Sequence, residues 1–245
     1  MRNLSALVRR ELGALFVSPV AYVVLTVFVL FAGLRFAFTF DADTQQFAYG
    51  AAMQVLGDMS RMLVLLVPLL TMRLIADEVS TGTFEMLTTA PVSNTAVVLS
   101  KFLGTLLFLV VMLAPTVAFP AMLCSVASDP PVDVGPVIAG YLGLVLLGAT
   151  AVAAGVCVSA CVRNPVSAAV ATLVVLGLLW AGGSLTADGA GGRLAAAVRY
   201  LGVLYHFDKG FGAGVIDTRD AVFYLSATGL FLFGAVGVVA VRRWR

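Results

Sequence analysis

The sequence predicts an all-α membrane protein with six transmembrane helices and with both termini in the cytoplasm. Hydrophobic residues make up 61% of the chain and charged residues only 11%, against about 25% charged in soluble domains. A helix of about 20 apolar residues crosses the hydrocarbon core of a bilayer. Five stretches of at least 21 residues contain no Asp, Glu, Lys or Arg, namely Leu12–Leu34, Phe102–Ser128, Val134–Val162, Asn164–Ala187 and Ala221–Val241. The chain is therefore expected to form one polytopic membrane domain, residues 1–245.

The N-terminal region predicts a surface helix followed by a retained span. Basic residues at Arg2, Arg9 and Arg10 precede the first apolar run, and residues 2–16 have the pattern of an amphipathic helix lying along the inner membrane surface. The run is longer than the segment of about 7–15 residues that a cleavable signal peptide contains. The first span is therefore placed at 18–40, with Arg35 expected to reach the outer interface beside Asp41 and Asp43.

The second span is weaker, because Asp58, Arg61 and Arg73 interrupt the apolar segment. Asp58 and Arg61 are three residues apart, so a helix places them on one face where they can pair. With this span at 51–76, the chain crosses six times and both basic ends face the cytoplasm. Nine of the fifteen basic residues but only four of the thirteen acidic residues then lie inside, as the positive-inside rule requires.

The remaining spans follow from the charge-free runs, at 102–127, 136–161, 166–187 and 221–241. Pro68, Pro115 and Pro120 lie within spans and are expected to kink or loosen the second and third helices, although proline is common in membrane helices. Residues 188–220 form an outer loop. Its segment Arg193–Phe211 interleaves aromatic and basic residues, which favours an interfacial helix at the headgroup level; an outer gate or a partner contact is the alternative.

The fourth span carries a stripe of small residues at a spacing of four, Ala151, Gly155 and Ser159. Such stripes let membrane helices approach closely, so these residues are predicted to pack helices and to offer a face to a second chain. Cys157 and Cys161 lie nearby, but the only histidine, His206, is far along the chain. No metal site is expected, because too few ligands are at hand.

The inner loop, residues 77–95, carries the most specific pattern. Pro91 disfavours helix at the preceding residue, and Gly82 or Thr83 can open a short cytoplasmic helix with Glu85 in its first turn. Phe84 and Leu87 lie three apart on one side of that helix, with Asp77 and Glu78 before it. A helix of about two turns does not persist alone in water, so its apolar side is expected to dock on a partner. The alternative is an ordinary membrane-surface loop.

Several segments together resemble a known family, the type-2 (exporter-type) ABC transporter permeases, and within it the gliding-motility branch. The segments are the loop from Asp77-Glu78 through Gly82-Thr83-Phe84-Glu85 and Leu87 to Pro91-Val92-Ser93, then Ser18-Pro19-Val20-Ala21-Tyr22, Lys101-Phe102-Leu103-Gly104, His206-Phe207-Asp208, Gly214-Val215-Ile216-Asp217-Thr218-Arg219-Asp220 and Arg242-Arg243-Trp244-Arg245. Family members usually carry a basic residue after the acidic pair, where this chain has Val79 and Ser80.

The resemblance implies a permease subunit in the plasma or inner membrane, whose short loop helix receives a separate cytoplasmic ATPase subunit. Closure of that ATPase would tilt the spans between inward-facing and outward-facing states, and a second permease chain, identical or a sibling, would complete the pathway. The chain contains no phosphate-binding loop of the form Gly-x-x-x-x-Gly-Lys-[Ser/Thr]. ATP and Mg²⁺ would therefore bind to the partner, and this chain would bind no cofactor.

Two other functions are alternatives to a permease subunit. A non-transporting anchor or assembly factor would use the same loop only to recruit an ATPase. An intramembrane enzyme is disfavoured, because the sequence has no His-Glu-x-x-His, no Gly-x-Ser-x-Gly and no pair of mid-span aspartates. No catalytic residue is predicted. The net charge of +2 is too small to indicate a nucleic-acid partner.

Overall fold

The computed structural model describes residues 2–39, 48–82, 93–126, 133–184 and 200–243. Every regular element within these ranges is a helix. The α-helices are α1 (Arg2–Val17), α2 (Pro19–Thr39), α3 (Ala48–Thr71), α4 (Ala76–Ser80), α5 (Asn94–Leu113), α6 (Ala118–Val126), α7 (Val134–Cys161), α8 (Pro165–Ser184), α9 (Val203–Lys209) and α10 (Thr218–Arg243). A 3₁₀ turn at Ala114–Val117 joins α5 to α6, and another, Phe211–Ala213, follows α9.

Five helical segments among the described residues are long and apolar enough to cross a bilayer. They are Pro19–Thr39, Asn94–Met122, Val134–Cys161, Pro165–Gly182 and Thr218–Arg242. Two of them form the centre of the molecule, since 67% of the α7 window and 61% of the window on α5 and α6 are buried, whereas the windows on α2, α8 and α10 are at most 22% buried. The chain is therefore a multi-pass helical membrane protein with α5 and α7 inside and the other three segments at its periphery.

Glycines on α7 allow three neighbouring elements to approach it closely. A Cβ atom at Gly155 would lie 2.2 Å from the hydroxyl oxygen of Thr71 on α3, and one at Gly148 would lie 2.6 Å from Leu109 on α5. At Gly143 the nearest atom would be the Cβ of Phe211, at 2.4 Å. Because all three distances are shorter than real Cβ contacts, side chains at these positions would push the elements apart. The glycines of α7 thus allow it to pack directly against α3, α5 and the 3₁₀ turn after α9, at the centre of the bundle.

The three prolines behave differently. Pro68 lies inside α3, which continues to Thr71 and then ends in a turn over residues 72–75. Pro115 lies in the 3₁₀ turn that interrupts the third span, where the hydroxyl of Thr116 donates to the carbonyl of Leu113 and lies 3.1 Å from the hydroxyl of Tyr141. Pro120 is an internal residue of α6. The predicted loosening of the third helix is therefore confirmed at Pro115.

One face of the segment after residue 200 is buried in the bundle, whereas Tyr200 and Leu201 are exposed. The interfacial helix predicted over Arg193–Phe211 stays a prediction, because residues 193–199 lie outside the described residues. His206 and Phe207 of α9, and Phe211 after it, are at most 4% exposed. Both ring nitrogens of His206 are bonded: Nδ1 lies 2.7 Å from the carboxylate of Asp220, and Nε2 lies 2.8 Å from the carbonyl oxygen of Tyr200. These two bonds satisfy the polar atoms of the buried His206 ring, and the rings of Phe207 and Phe211 pack against Gly143 of α7.

Charged residues at the same end of the bundle join α2, α3 and α9. The predicted pair of Asp58 and Arg61 is present, with an oxygen–nitrogen distance of 3.0 Å. Arg35 of α2 donates to the other oxygen of Asp58 at 2.6 Å, so it links α2 to α3. Its predicted position beside Asp41 and Asp43 stays a prediction, because those two residues lie outside the described residues. Arg61 also lies 3.8 Å from Asp208. Burial raises the pKa of Asp208 above its ordinary value, although Arg61 and Lys209 oppose that change.

Candidate functional site

The site begins where the chain leaves α3, because one buried hydroxyl on α7 holds the turn that leads into α4. Ser159 is fully buried. Its hydroxyl donates to the carbonyl of Met72 at 3.2 Å and accepts from the backbone N–H groups of Ile75 and Ala76 at 3.2 and 3.1 Å. The first N–H groups of a helix have no partner within that helix, so Ser159 supplies the missing acceptor. The start of α4 is thereby fixed to α7.

A buried lysine then connects α4 to two further helices. Lys101, in α5, is 1% exposed, and its ammonium lies 2.7 Å from a carboxylate oxygen of Glu78 on α4. The same ammonium lies 3.3 Å from a carboxylate oxygen of Glu11 on α1. A buried charge requires partners of opposite sign, and here the partners come from two different helices. One side chain therefore joins α1, α4 and α5.

A glycine one turn along α5 explains how α1 comes close enough to reach the lysine. A Cβ atom at Gly104 would lie 3.0 Å from the Cβ of Glu11 and 3.3 Å from the backbone nitrogen of Leu12. Residues three apart in a helix share a face, so Lys101 and Gly104 both point at α1. The absence of a side chain at Gly104 brings the two backbones together at the position where Glu11 meets Lys101.

The network continues to the surface of α1. Arg10 donates to Glu11 at 2.7 Å, and this hydrogen bond raises the pKa of the guanidinium above its ordinary value. Two basic residues, Arg10 and Lys101, thus alternate with two acidic residues, Glu11 and Glu78. The four formal charges cancel, which allows the inner part of the network to be buried.

The residues predicted for the partner-docking loop are only partly described. Asp77 and Glu78 lie in α4, and Gly82 follows it with a φ angle of +74°, a conformation that favours glycine. The described chain therefore has a helix before Gly82, at Ala76–Ser80, whereas the sequence predicted one opening at Gly82 or Thr83. The remaining predicted residues, Thr83, Phe84, Glu85, Leu87 and Pro91, lie outside the described residues.

The small-residue stripe is enclosed within the chain. Ala151 and Ser159 are at most 2% exposed, and Gly155 lies against Thr71 as described above. The stripe therefore packs α7 against α3 and the turn that follows it. The expectation that it offers a face to a second chain is wrong, because α3 already covers it.

The cysteines of α7 form no metal centre in the part of the chain that is described. Cys157 and Cys161 are free thiols, and the described ranges contain no group of three or more His, Cys, Asp or Glu side chains placed to hold a metal ion. The arrangement of the site is instead one of ionic and hydrogen-bonded links between helices.

Two residues of the site, Glu11 and Lys101, were not predicted to meet. One signal was available in the sequence: Glu11 is the only acidic residue before Asp41, and Lys101 directly precedes a charge-free run. Isolated charges beside apolar segments need partners, but 90 positions separate the two residues. Spacing alone could not pair them.

Comparison with known proteins assigns the family. A search of curated proteins gave no match. The family model of ABC-2 family transporter proteins matches residues 38–201. That range contains α4, Lys101, Gly104 and the whole of α7, whereas Glu11 and α10 lie outside it. Because the match covers more than half of the chain and falls on the helices that build the site, the chain belongs to the ABC-2 transporter family, the membrane permease subunits of ABC transporters.

Proposed function

We propose that this permease is half of the membrane domain of an ATP-driven exporter in the plasma or inner membrane. A separate cytoplasmic ATPase subunit binds the segment after Gly82, holds ATP and Mg²⁺ and hydrolyses the nucleotide. Its closure moves the spans between inward-facing and outward-facing states. The chain itself catalyses no reaction and binds no cofactor. We also propose that it belongs to the gliding-motility branch, which its resemblance at Ser18–Tyr22, Lys101–Gly104 and Gly214–Asp220 supports.

The observation that carries this proposal is the junction of α1, α4 and α5 at Lys101. A force applied to the segment after Gly82 acts first on α4, which is only five residues long. The bonds from Glu78 to Lys101 and from the start of α4 to Ser159 lead from there to α5 and α7. Those helices are the most buried of the five candidate spans among the described residues. Docking at the loop is therefore connected to the centre of the bundle by short polar contacts.

The proposal includes six crossings, with α3 as the second. Its 24 residues span about 36 Å as a helix, and Arg35 and Arg61 neutralise its internal Asp58. Two contacts support this direction: Arg35, near the end of α2, meets Asp58 in the first half of α3, and Ser159 meets the turn that follows Thr71. Arg242 of α10 donates to Val162 at the end of α7, so the last helix ends on the same side as α4.

Two permease chains are expected in each complex, since an ATPase pair needs two docking loops. The α7 stripe is covered within the chain, so the contact between permeases must use another surface. The exposed apolar residues of α2, α8 and α10 supply candidates, including Leu30, Val170 and Phe233.

The experiment measures ATP-dependent movement, because the substrate is not needed for it. Spin labels are placed at Val134 of both permease chains in a complex with the ATPase subunit. Val134 is exposed at the start of α7, at the end opposite to α4. We expect the distance between labels to change between the apo and ATP-trapped states. In Lys101→Met the ATPase should still bind, and the change in distance should be lost.

Arg163→Gln is the matched control. Arg163 is an exposed base at the same end as Lys101, in the turn between α7 and α8. This variant should behave as the wild type. A wild-type complex that binds and hydrolyses ATP with no movement at Val134 would instead support the non-transporting anchor.

Topology is tested by labelling single cysteines in a background without the native ones. Positions Ser5 and Arg163 should react from the cytoplasmic side, and Val134 and Ile216 from the other side. Ile216 is 56% exposed, whereas a side chain at nearby Gly212 would lie 2.9 Å from the carbonyl oxygen of Phe207. Labelling of Arg163 and Val134 from one side would contradict six crossings.

A further inference from the structure

A cavity of about 420 Å³ lies beside the junction, between α1, the first turn of α2, the end of α3 and α4. Its volume falls within the range of about 300–1,000 Å³ that is typical of small-molecule sites. One side of it is apolar, with Leu15, Val20 and Leu69 among the lining residues. The other side is charged, and Arg73 and Asp77 are among its lining residues.

These two charges are not used by the network around Lys101. Among the described residues, no ion pair and no side-chain hydrogen bond reaches the guanidinium of Arg73 or the carboxylate of Asp77. They are four positions apart, and they form no pair with each other. The cavity therefore presents one positive and one negative group, neither of them paired with a side chain of the described residues, to the molecule that occupies it.

The apolar side continues onto the outer surface of the bundle. Leu65 and Leu69 lie one turn apart on α3 and are 45% and 40% exposed, and Val17 at the end of α1 is 84% exposed. A membrane protein leaves such residues in contact with acyl chains. The cavity thus opens sideways towards lipid, with its charged side at the level of α1 and α4.

We propose that this cavity binds one zwitterionic phospholipid that carries a primary ammonium group. The phosphate accepts hydrogen bonds from Arg73, whose planar guanidinium matches phosphate geometry. The ammonium donates to the carboxylate of Asp77, and the first part of an acyl chain lies along Leu15, Val20 and Leu69. The lipid neutralises both charges together, which neither an anionic nor a cationic ligand achieves.

The ammonium is the discriminating group. A primary ammonium carries three N–H donors for a carboxylate, whereas a trimethylated ammonium carries none. The site should therefore prefer phosphatidylethanolamine to phosphatidylcholine, although the two have the same net charge. Phosphatidylglycerol keeps the phosphate but lacks the ammonium, so it should satisfy Arg73 alone.

The test is native mass spectrometry of the full chain, released from nanodiscs that contain the three phospholipids in equal amounts. We expect one phosphatidylethanolamine to be retained per wild-type chain, in preference to the other two. Arg73→Gln and Asp77→Asn should each reduce that retention about tenfold, the effect of losing one charge-assisted hydrogen bond. Arg163→Gln removes an exposed base at the same end that does not line the cavity, so it should retain the lipid.

Each other outcome decides against the proposal. Equal retention of all three lipids would show that Arg73 and Asp77 do not select the headgroup, and retention of none would leave a partner-protein side chain as the occupant of the cavity. Retention of phosphatidylglycerol that is lost in Arg73→Gln but kept in Asp77→Asn would indicate an anion site. Because Arg73 is exposed and Asp77 is only half-buried, the variants are expected to fold, and a melting curve of each protein checks this before the lipids are counted.

Discussion

Replacing Lys101 with methionine tests the junction of α1, α4 and α5 most directly. Methionine fills similar space but leaves the carboxylates of Glu11 and Glu78 without the ammonium they share. Removing one member of a buried ion pair costs about 3–5 kcal/mol. The cost should lie at the lower end of that range, because the side chain of Glu78 is 21% exposed and Glu11 keeps Arg10. About 3 kcal/mol corresponds to a fall in Tm of about 6–12 °C for a chain of this size.

The assay is thermal melting of the chain in nanodiscs, with Arg163→Gln as the control, which should stay within about 0.5 kcal/mol of the wild type. A triple variant separates charge from shape: Lys101→Met with Glu11→Gln and Glu78→Gln removes all three charges of the inner network. Because apolar or neutral replacements of a whole buried network are often close to neutral, the triple variant should recover most of the lost stability. A single variant that melts with the wild type, or a triple variant no better than the single one, would refute the reasoning.

Three further predictions use the same melting assay. Gly104→Leu should lose about 1–3 kcal/mol by forcing α1 away from α5, whereas Gly177→Leu, with nothing within 4 Å of an added Cβ, should not. Gly155→Leu should cost at least as much, since its Cβ would lie 2.2 Å from the hydroxyl of Thr71; equal melting of Gly155→Leu and Gly177→Leu would contradict the packing described here. Asp208→Asn should raise Tm at neutral pH, because burial raises the pKa of that carboxyl and so disfavours its charged form in the fold. The difference should vanish as the pH falls to the ordinary value of 3.8, where the wild-type carboxyl is protonated in the folded protein; a difference independent of pH would contradict it.

The spans could be predicted from the sequence because lipid imposes a simple requirement. A helix in the hydrocarbon core satisfies its own backbone and excludes charge, so the charge-free runs mark it. The pair of Asp58 and Arg61 was predictable for a related reason, since the two residues lie one turn apart on one helix. In both cases the information is local, and a short window of sequence contains all of it.

The contacts that build the candidate site are not local. Lys101 meets Glu11 across 90 positions and Ser159 meets Ala76 across 83, and nothing in the spacing of those residues connects them. The burial of one face of the outer segment also depends on distant residues. Its alternation of aromatic and basic residues does not indicate that the carboxylate of Asp220 bonds His206 or that Phe211 packs against Gly143.

The two anchors of α4 differ in kind, and this difference bears on how movement is transmitted. Ser159 is neutral, fully buried and engaged in three hydrogen bonds of 3.1–3.2 Å to the backbone before and at the start of α4. Lys101 acts instead through side chains, at 2.7 Å on Glu78 and 3.3 Å on Glu11. Backbone contacts fix the position of the turn on α7, whereas the flexible lysine side chain can change conformation without breaking the helices that it joins. A displacement of the segment after Gly82 should therefore rotate α4 about its start at Ser159 and move α1 and α5 relative to α7.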